Sequence, residues 1–99
     1  MGAATPENKV KAGIKQVLNE LAAWYFMPTM NGWGRAGIPD FICCINGRFV
    51  AIEAKAPGKK PTQWQSREID AIRDAGGGLA FVIDDPSELR ALLEEEEVV

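Results

Sequence analysis

The chain contains no histidine and only two cysteines among its 99 residues. Without histidine there are no imidazole metal sites, Ser–His triads or imidazole general bases, so any hydrolytic chemistry must rest on carboxylates, lysine or an oxygen-ligated metal. Cys43 and Cys44 are adjacent. On a strand they point to opposite faces and do not readily bridge each other, and a lone Cys-Cys pair lacks metal-ligand spacing. Both read as buried apolar filler. No apolar run approaches the ~20 residues of a membrane span, and no charged-then-apolar leader opens the sequence, which predicts a cytoplasmic protein without a membrane partner.

Hydrophobic residues make up 46% and charged residues 25%, the balance of one folded domain over residues 1–99. The net charge is −3, yet it is unevenly placed. Four of the 14 acids form the run Glu94–Glu97, and without them ten acids face eleven bases. From Arg35 to Arg67 the bases are Arg35, Arg48, Lys55, Lys59, Lys60 and Arg67, against only Asp40 and Glu53. A basic middle with two embedded acids suits a polyanionic partner, and a solvated surface gives the same count.

Thr5-Pro6-Glu7 reads as an N-cap, a first-turn proline and an early acid. Val10, Ile14, Leu18, Leu21 and Tyr25 follow at helical spacing and predict one apolar face to about Tyr25, with Trp24-Tyr25-Phe26 turning into a short strand. Residues 31–39 are glycine-rich and predict a loop. Asp40–Ile45 and Arg48–Lys55 read as strands about Asn46-Gly47, the strongest short hairpin signal, because a type I′ turn needs positive φ at both central residues. Thr62 and Gln65 form a capping box for a helix to about Ala75, which Gly76-Gly77-Gly78 ends. Leu79–Ile83 is a short apolar strand, and Asp85-Pro86-Ser87-Glu88 caps a last helix through Leu93. The acidic run 94–99 opposes the helix dipole and is expected to fray. The order predicts an α/β domain with a mixed sheet flanked by helices.

A two-residue turn pairs Ile45 with Arg48 and so brings Asp40 opposite Glu53, where Cβ atoms on one face stand ~4.5–5.5 Å apart. Lys55 lies on that same face. Both faces of the hairpin are apolar, so it is central and covered on both sides. Opposed carboxylates destabilise a hairpin end unless something positive sits between them. A Mg²⁺-type ion fits, since it takes carboxylate oxygens and water and keeps positions open for phosphate. It would lower the pKa of a water and polarise a phosphoryl oxygen, with Lys55 orienting that water or neutralising charge on the phosphate. Two surface acids neutralised by Lys55 at a strand end is the plainer alternative.

Gly37-Ile38-Pro39-Asp40, the hairpin, Glu53-Ala54-Lys55, Thr62…Gln65 and Gly76-Gly77 together resemble the virus-type replication-repair nuclease (VRR-NUC) family of the PD-(D/E)XK nuclease superfamily, over about residues 5–84. The resemblance implies the restriction-endonuclease-like core. It implies a metal held by Asp40, Glu53 and the Ala54 carbonyl, with Lys55 as catalytic lysine and Mg²⁺ (Mn²⁺ substituting) as cofactor. It also tips Gln65, which shares a face with Ile69 and Ile72, towards an active-site role beside its local capping one. For the first-helix acid both Glu7 and Glu20 are available. Glu7 extends the apolar stripe and Glu20 lies off it, although a first-turn acid also serves the helix dipole.

Gly32-Trp33-Gly34-Arg35-Ala36-Gly37 fits G-x-G-x-x-G, but it precedes a strand rather than opening a helix, which argues against a nucleotide cofactor. Arg35, Lys59 and Lys60 are candidate DNA-phosphate contacts, each equally accommodated by a solvated loop. Trp24 and Trp64 are expected in the core. The functional expectation is a metal-dependent DNA endonuclease acting by water attack without a covalent intermediate, with backbone or shape recognition. Resemblance to stand-alone family members implies Holliday-junction selectivity, a homodimer and a role in replication, repair or recombination in a bacterial or phage-infected cell. The rival readings are a duplex-nicking or restriction-like nuclease, and a non-catalytic DNA-binding or dimerising module on the same fold.

Overall fold

A computed structural model describes residues 4–29 and 34–99; Gly32 and Trp33 of the glycine-rich motif lie outside the described residues. The elements run α1 (Pro6–Glu20), β1 (Trp24–Phe26), β2 (Phe41–Ile45), β3 (Arg48–Ala54), α2 (Gln63–Asp74), β4 (Leu79–Ile83), a 3₁₀ turn (Pro86–Glu88) and α3 (Leu89–Glu95). The strands form one sheet in the order β1-β2-β3-β4. The first two pairings are antiparallel, and β3–β4 is parallel with α2 as the crossover. This is the mixed α/β architecture that the order of hydrophobic patterns predicts.

The hairpin has the expected register, Phe41 opposite Ile52 through Ile45 opposite Arg48. Asn46 and Gly47 both take positive φ, 49° and 78°, the geometry of a type I′ turn. The alternating faces then divide the core in two. Phe41, Cys43, Ile45, Val50 and Ile52 pack with Val10, Ile14 and Leu18 of α1 and Leu89 and Leu93 of α3. On the other face Ala51 packs with Ile69 of α2 and Ala80 of β4, flanked by Ile42, Ile72 and Val82. The hairpin is therefore central, with helices on both sides.

Several local expectations are corrected. Helix α1 stops at Glu20, short of the helical spacing read to about Tyr25, while Trp24-Tyr25-Phe26 forms the expected short strand β1. Ala22 at φ 54°, with Ala23 N–H donating to the Leu18 carbonyl and Ala22 N–H to that of Asn19, closes the helix as a Schellman motif. No glycine marks this stop, so periodicity alone ran past it. The acidic tail does not fray. Glu97 takes φ 59°, Val98 N–H donates to the Leu93 carbonyl, and Val98 is buried in the core. The same Schellman geometry, fixed by one apolar residue, outweighs the unfavourable charge on the dipole. Cys43 is buried but Cys44 is exposed, because α2 covers β3 and β4 and leaves the outer part of that face open. For the same reason Trp24 is surface rather than core, and Trp64 at 59% exposure is also outside it.

Candidate metal and active site

The open end of the hairpin gathers the charged residues. Asp40 immediately precedes β2, and its Oδ2 accepts from the backbone N–H of Ala54 at 2.9 Å, which fixes the carboxylate beside the last turn of the β3 ladder. Glu53, one residue back, is 2% exposed, the one buried charged residue among those described. Its Oε2 lies 3.8 Å from Lys55 Nζ, while its Oε1 is buried with no hydrogen-bond partner. Burial first, and then the neighbouring Asp40 charge, push the Glu53 carboxyl up to about 7, against the smaller opposing pull of Lys55. A buried, unpartnered carboxylate oxygen is costly, and a second carboxylate beside it increases the cost.

Helix α1 supplies two further groups. Lys11 Nζ stands 3.5 Å from Glu7 Oε2 and 3.6 Å from Asp40 Oδ1, so one ammonium joins the first-helix acid to the strand acid. Between the two candidates from α1, the structure brings Glu7 to the site. Glu20 instead pairs with Arg90 at 3.1 Å at the far end of the helix. Lys11 itself was not singled out from the sequence, although its position four residues after Glu7 put it on the same helical face.

Gln65 is half-buried, and its Oε1 accepts from Thr62 N–H at 2.8 Å while Thr62 Oγ1 accepts from Gln65 N–H. The capping box is thus formed in full. Gly37, at φ 84°, lies so close to α2 that a Cβ there would collide with the Trp64 carbonyl. The loop leading into Asp40 is therefore seated on the first turn of α2, next to Gln65. Arg35 in that loop is forked onto Glu68 of α2, with Nε and Nη2 each 2.8 Å from a carboxylate oxygen. Its guanidinium is engaged by protein and tethers the loop. Lys59 and Lys60 are exposed in the β3–α2 loop.

The donor set suits a hard divalent cation. Asp40, Glu53 and the Ala54 carbonyl offer only oxygen, and Glu53 Oε1 is an orphan that a cation would satisfy. Among the described residues no three His, Cys, Asp or Glu side chains converge as a ligand cluster. Two carboxylates and a carbonyl match an ion that keeps much of its hydration, such as Mg²⁺ or Mn²⁺, better than a fully caged one. No helix among the described residues is long and apolar enough to cross a membrane.

No protein-family model matches the chain. Among curated proteins it is similar to "Putative nuclease p44" of Acyrthosiphon pisum secondary endosymbiont phage 1, 50% identical over 36 residues. That segment is 35% of this chain and spans 39% of the relative's length. Among solved structures it is similar to one described as "VRR_NUC domain", with a TM-score of 0.79 and 27% sequence identity. The likeness covers 92% of this chain and 97% of that one. The fold expected from the motif resemblance and the fold of this structural neighbour agree.

Proposed function

We propose that this chain, which has the fold of the VRR_NUC domain, is a metal-dependent endodeoxyribonuclease whose divalent cation is held by Asp40, Glu53 and the Ala54 carbonyl. The observation that carries this reading is the buried Glu53 with an unpartnered Oε1 beside a second carboxylate. A structural residue in that position gains nothing from its charge, whereas a cation ligand requires it. The nuclease name of the phage relative supports the same reading.

When bound, Mg²⁺, or Mn²⁺ in its place, supplies Lewis acidity toward the phosphate and lowers the pKa of water at the site. The chain's own residues do the rest. The Ala54 N–H holds Asp40 in one orientation. Lys55, tied to Glu53 and anchored through its backbone N–H to Ile83, neutralises charge that builds on the phosphate or orients the attacking water. Lys11 balances the charges of Asp40 and Glu7 on the α1 side of the site. Gln65 uses its Oε1 as a cap, which leaves its amide NH₂ to offer a water or a phosphate oxygen. Lys59 and Lys60 contact the DNA backbone, while Arg35 stays on Glu68 and holds the loop that leads to Asp40.

Branched DNA of the Holliday-junction type and a homodimer complete the reading, in replication, repair or recombination in the cytoplasm of a bacterial or phage-infected cell. An exposed edge strand β1 carrying Trp24 and Phe26 on one side is a surface that a second copy can cover. The test is a cleavage assay with Mg²⁺ and Mn²⁺ on four-way-junction, intact duplex and single-stranded DNA, with molar mass in solution measured alongside. Metal-dependent cleavage that is greatest on the junction supports the reading. Preference for intact duplex favours the nicking or restriction-like alternative, and DNA binding without turnover favours the non-catalytic module. Full activity in excess EDTA contradicts the metal assignment.

A further inference from the structure

Trp64 is a large apolar side chain left 59% exposed in the first turn of α2, where it adds nothing to the core that Ile69 and Ile72 build on the same helix. Arg67, one turn on, lies over the indole with its guanidinium carbon 5.2 Å from the ring centroid, a cation–π arrangement. The surroundings are basic: Arg67, Lys59 and Lys60 are all exposed, and the nearby acid Glu68 is already neutralised by Arg35. The backbone beneath the indole is held in place, because Gly37 packs directly against the Trp64 carbonyl. Asp40 follows Gly37 by three positions, a reach of at most about 11 Å. The aromatic platform is thereby fixed to the same loop that delivers the first carboxylate.

We infer that Trp64, backed by Arg67, is a base-stacking platform that holds a DNA base with an unstacked face close to the phosphate to be cut. This rests on the nuclease reading above and names the feature of the substrate that the site selects. In an intact duplex both faces of every internal base are occupied by neighbouring bases, so an indole on a protein surface finds no free π-face. At a junction, flap, gap or single strand a face is free. Stacking on it tolerates any sequence, while the lysines hold the backbone. Trp64 is a specificity-determining contact in this arrangement, distinct from the carboxylates that hold the cation.

The test uses the full chain carrying Asp40→Asn, so that binding is read without cleavage. Its affinity is measured by anisotropy at one fixed salt concentration for a labelled oligo-dT single strand and for a blunt duplex of equal length. Adding Trp64→Ala is expected to weaken single-strand binding about tenfold, to weaken duplex binding less, and so to collapse the preference between them. Trp64→Phe should restore most of the single-strand affinity, and Arg67→Gln should fall between. Because the indole is exposed, the melting temperature of each variant checks that the fold is kept, and the Phe variant decides the matter if the Ala variant unfolds. Equal losses on both DNAs, or no loss on the single strand, would overturn the platform while leaving the nuclease reading standing. No binding of either DNA by any form would likewise overturn the platform, and the cleavage assay on four-way junctions then decides the nuclease reading separately.

Discussion

At its turn the β2–β3 hairpin is stapled into the molecule, whereas at its open end it is held under electrostatic tension. Asn46 and Gly47 adopt the positive φ values that a tight reversal requires, Asn46 Nδ2 donates to the Val98 carbonyl at 2.6 Å, and Ile45 beside it is fully enclosed by α1 and α3. The other end places Asp40 against Glu53, leaves Glu53 Oε1 without a partner, and balances the charge with Lys55 and Lys11 at 3.5–3.8 Å. The two ends belong to one ladder, so the difference lies in the side chains and not in the backbone. The well-satisfied end supplies rigidity, and the unsatisfied end is where a cation can be gained. A fold that tolerates such a cost at one place must offset it elsewhere.

Substitutions can drive the two ends apart. The largest effect is expected from Lys55→Ala or Asp40→Asn, each of which should lower DNA cleavage by about 10²–10³-fold or more with a melting curve close to that of the parent. Loss of the folded state in both variants would mean that the open end is structural. Next comes Ile45→Ala at the turn end, which should cost about 2–5 kcal/mol of stability in chemical denaturation. The folded fraction that remains should cleave at the parental rate.

Glu53→Gln should act in the opposite direction on stability. The Glu53 carboxyl titrates near 7 in the folded metal-free chain, above the ordinary 4.5 of the unfolded one. The folded state therefore binds the extra proton between those values, and stability falls as pH rises through that window. The full penalty applies above about pH 7 and is absent below about pH 4.5. Without metal, the Gln variant should melt higher than the parent at pH 8 and show a flatter dependence from pH 5 to 8, and it should cleave poorly. A parental melting temperature that does not fall across that range would remove the burial argument. The smallest effect is expected from Asn46→Ala, about 1–2 kcal/mol through the lost bond to Val98 and the strained turn, with cleavage unchanged.

The hairpin was legible because two strong local rules agree. Asn-Gly dictates the turn, the turn dictates the register, and the register dictates that Asp40 meets Glu53. The capping box at Thr62 and Gln65 was legible for the same reason, since two residues three positions apart fix it. Features that depend on how far one element extends over another were not. The exposure of Cys44 and Trp24 follows from α2 lying over β3 and β4, which no period within a strand encodes, and Trp64 is exposed on α2 itself. The ends of α1 and α3 were misread because Ala22 and Glu97 take the left-handed conformation that usually announces itself with glycine. Docking of Val98 depends on Asn46, 52 residues away, and long-range pairs of that kind leave no local signature. Glu7 was the better placed of the two first-helix acids because it extends the apolar stripe of α1, and the contacts agree: Lys11 joins it to Asp40, while Glu20 pairs with Arg90.

The central claim is that Asp40 and Glu53 form a cation site, and direct titration of Mn²⁺ into the metal-free protein at pH 7.5 tests it most simply. Saturable binding of one or two ions per chain is expected, accompanied by a rise in melting temperature, with both abolished by Glu53→Gln and by Asp40→Asn. Binding that survives in either variant, or a parental chain that neither binds the ion nor gains stability from it, would mean that Asp40 and Glu53 do not form a cation site.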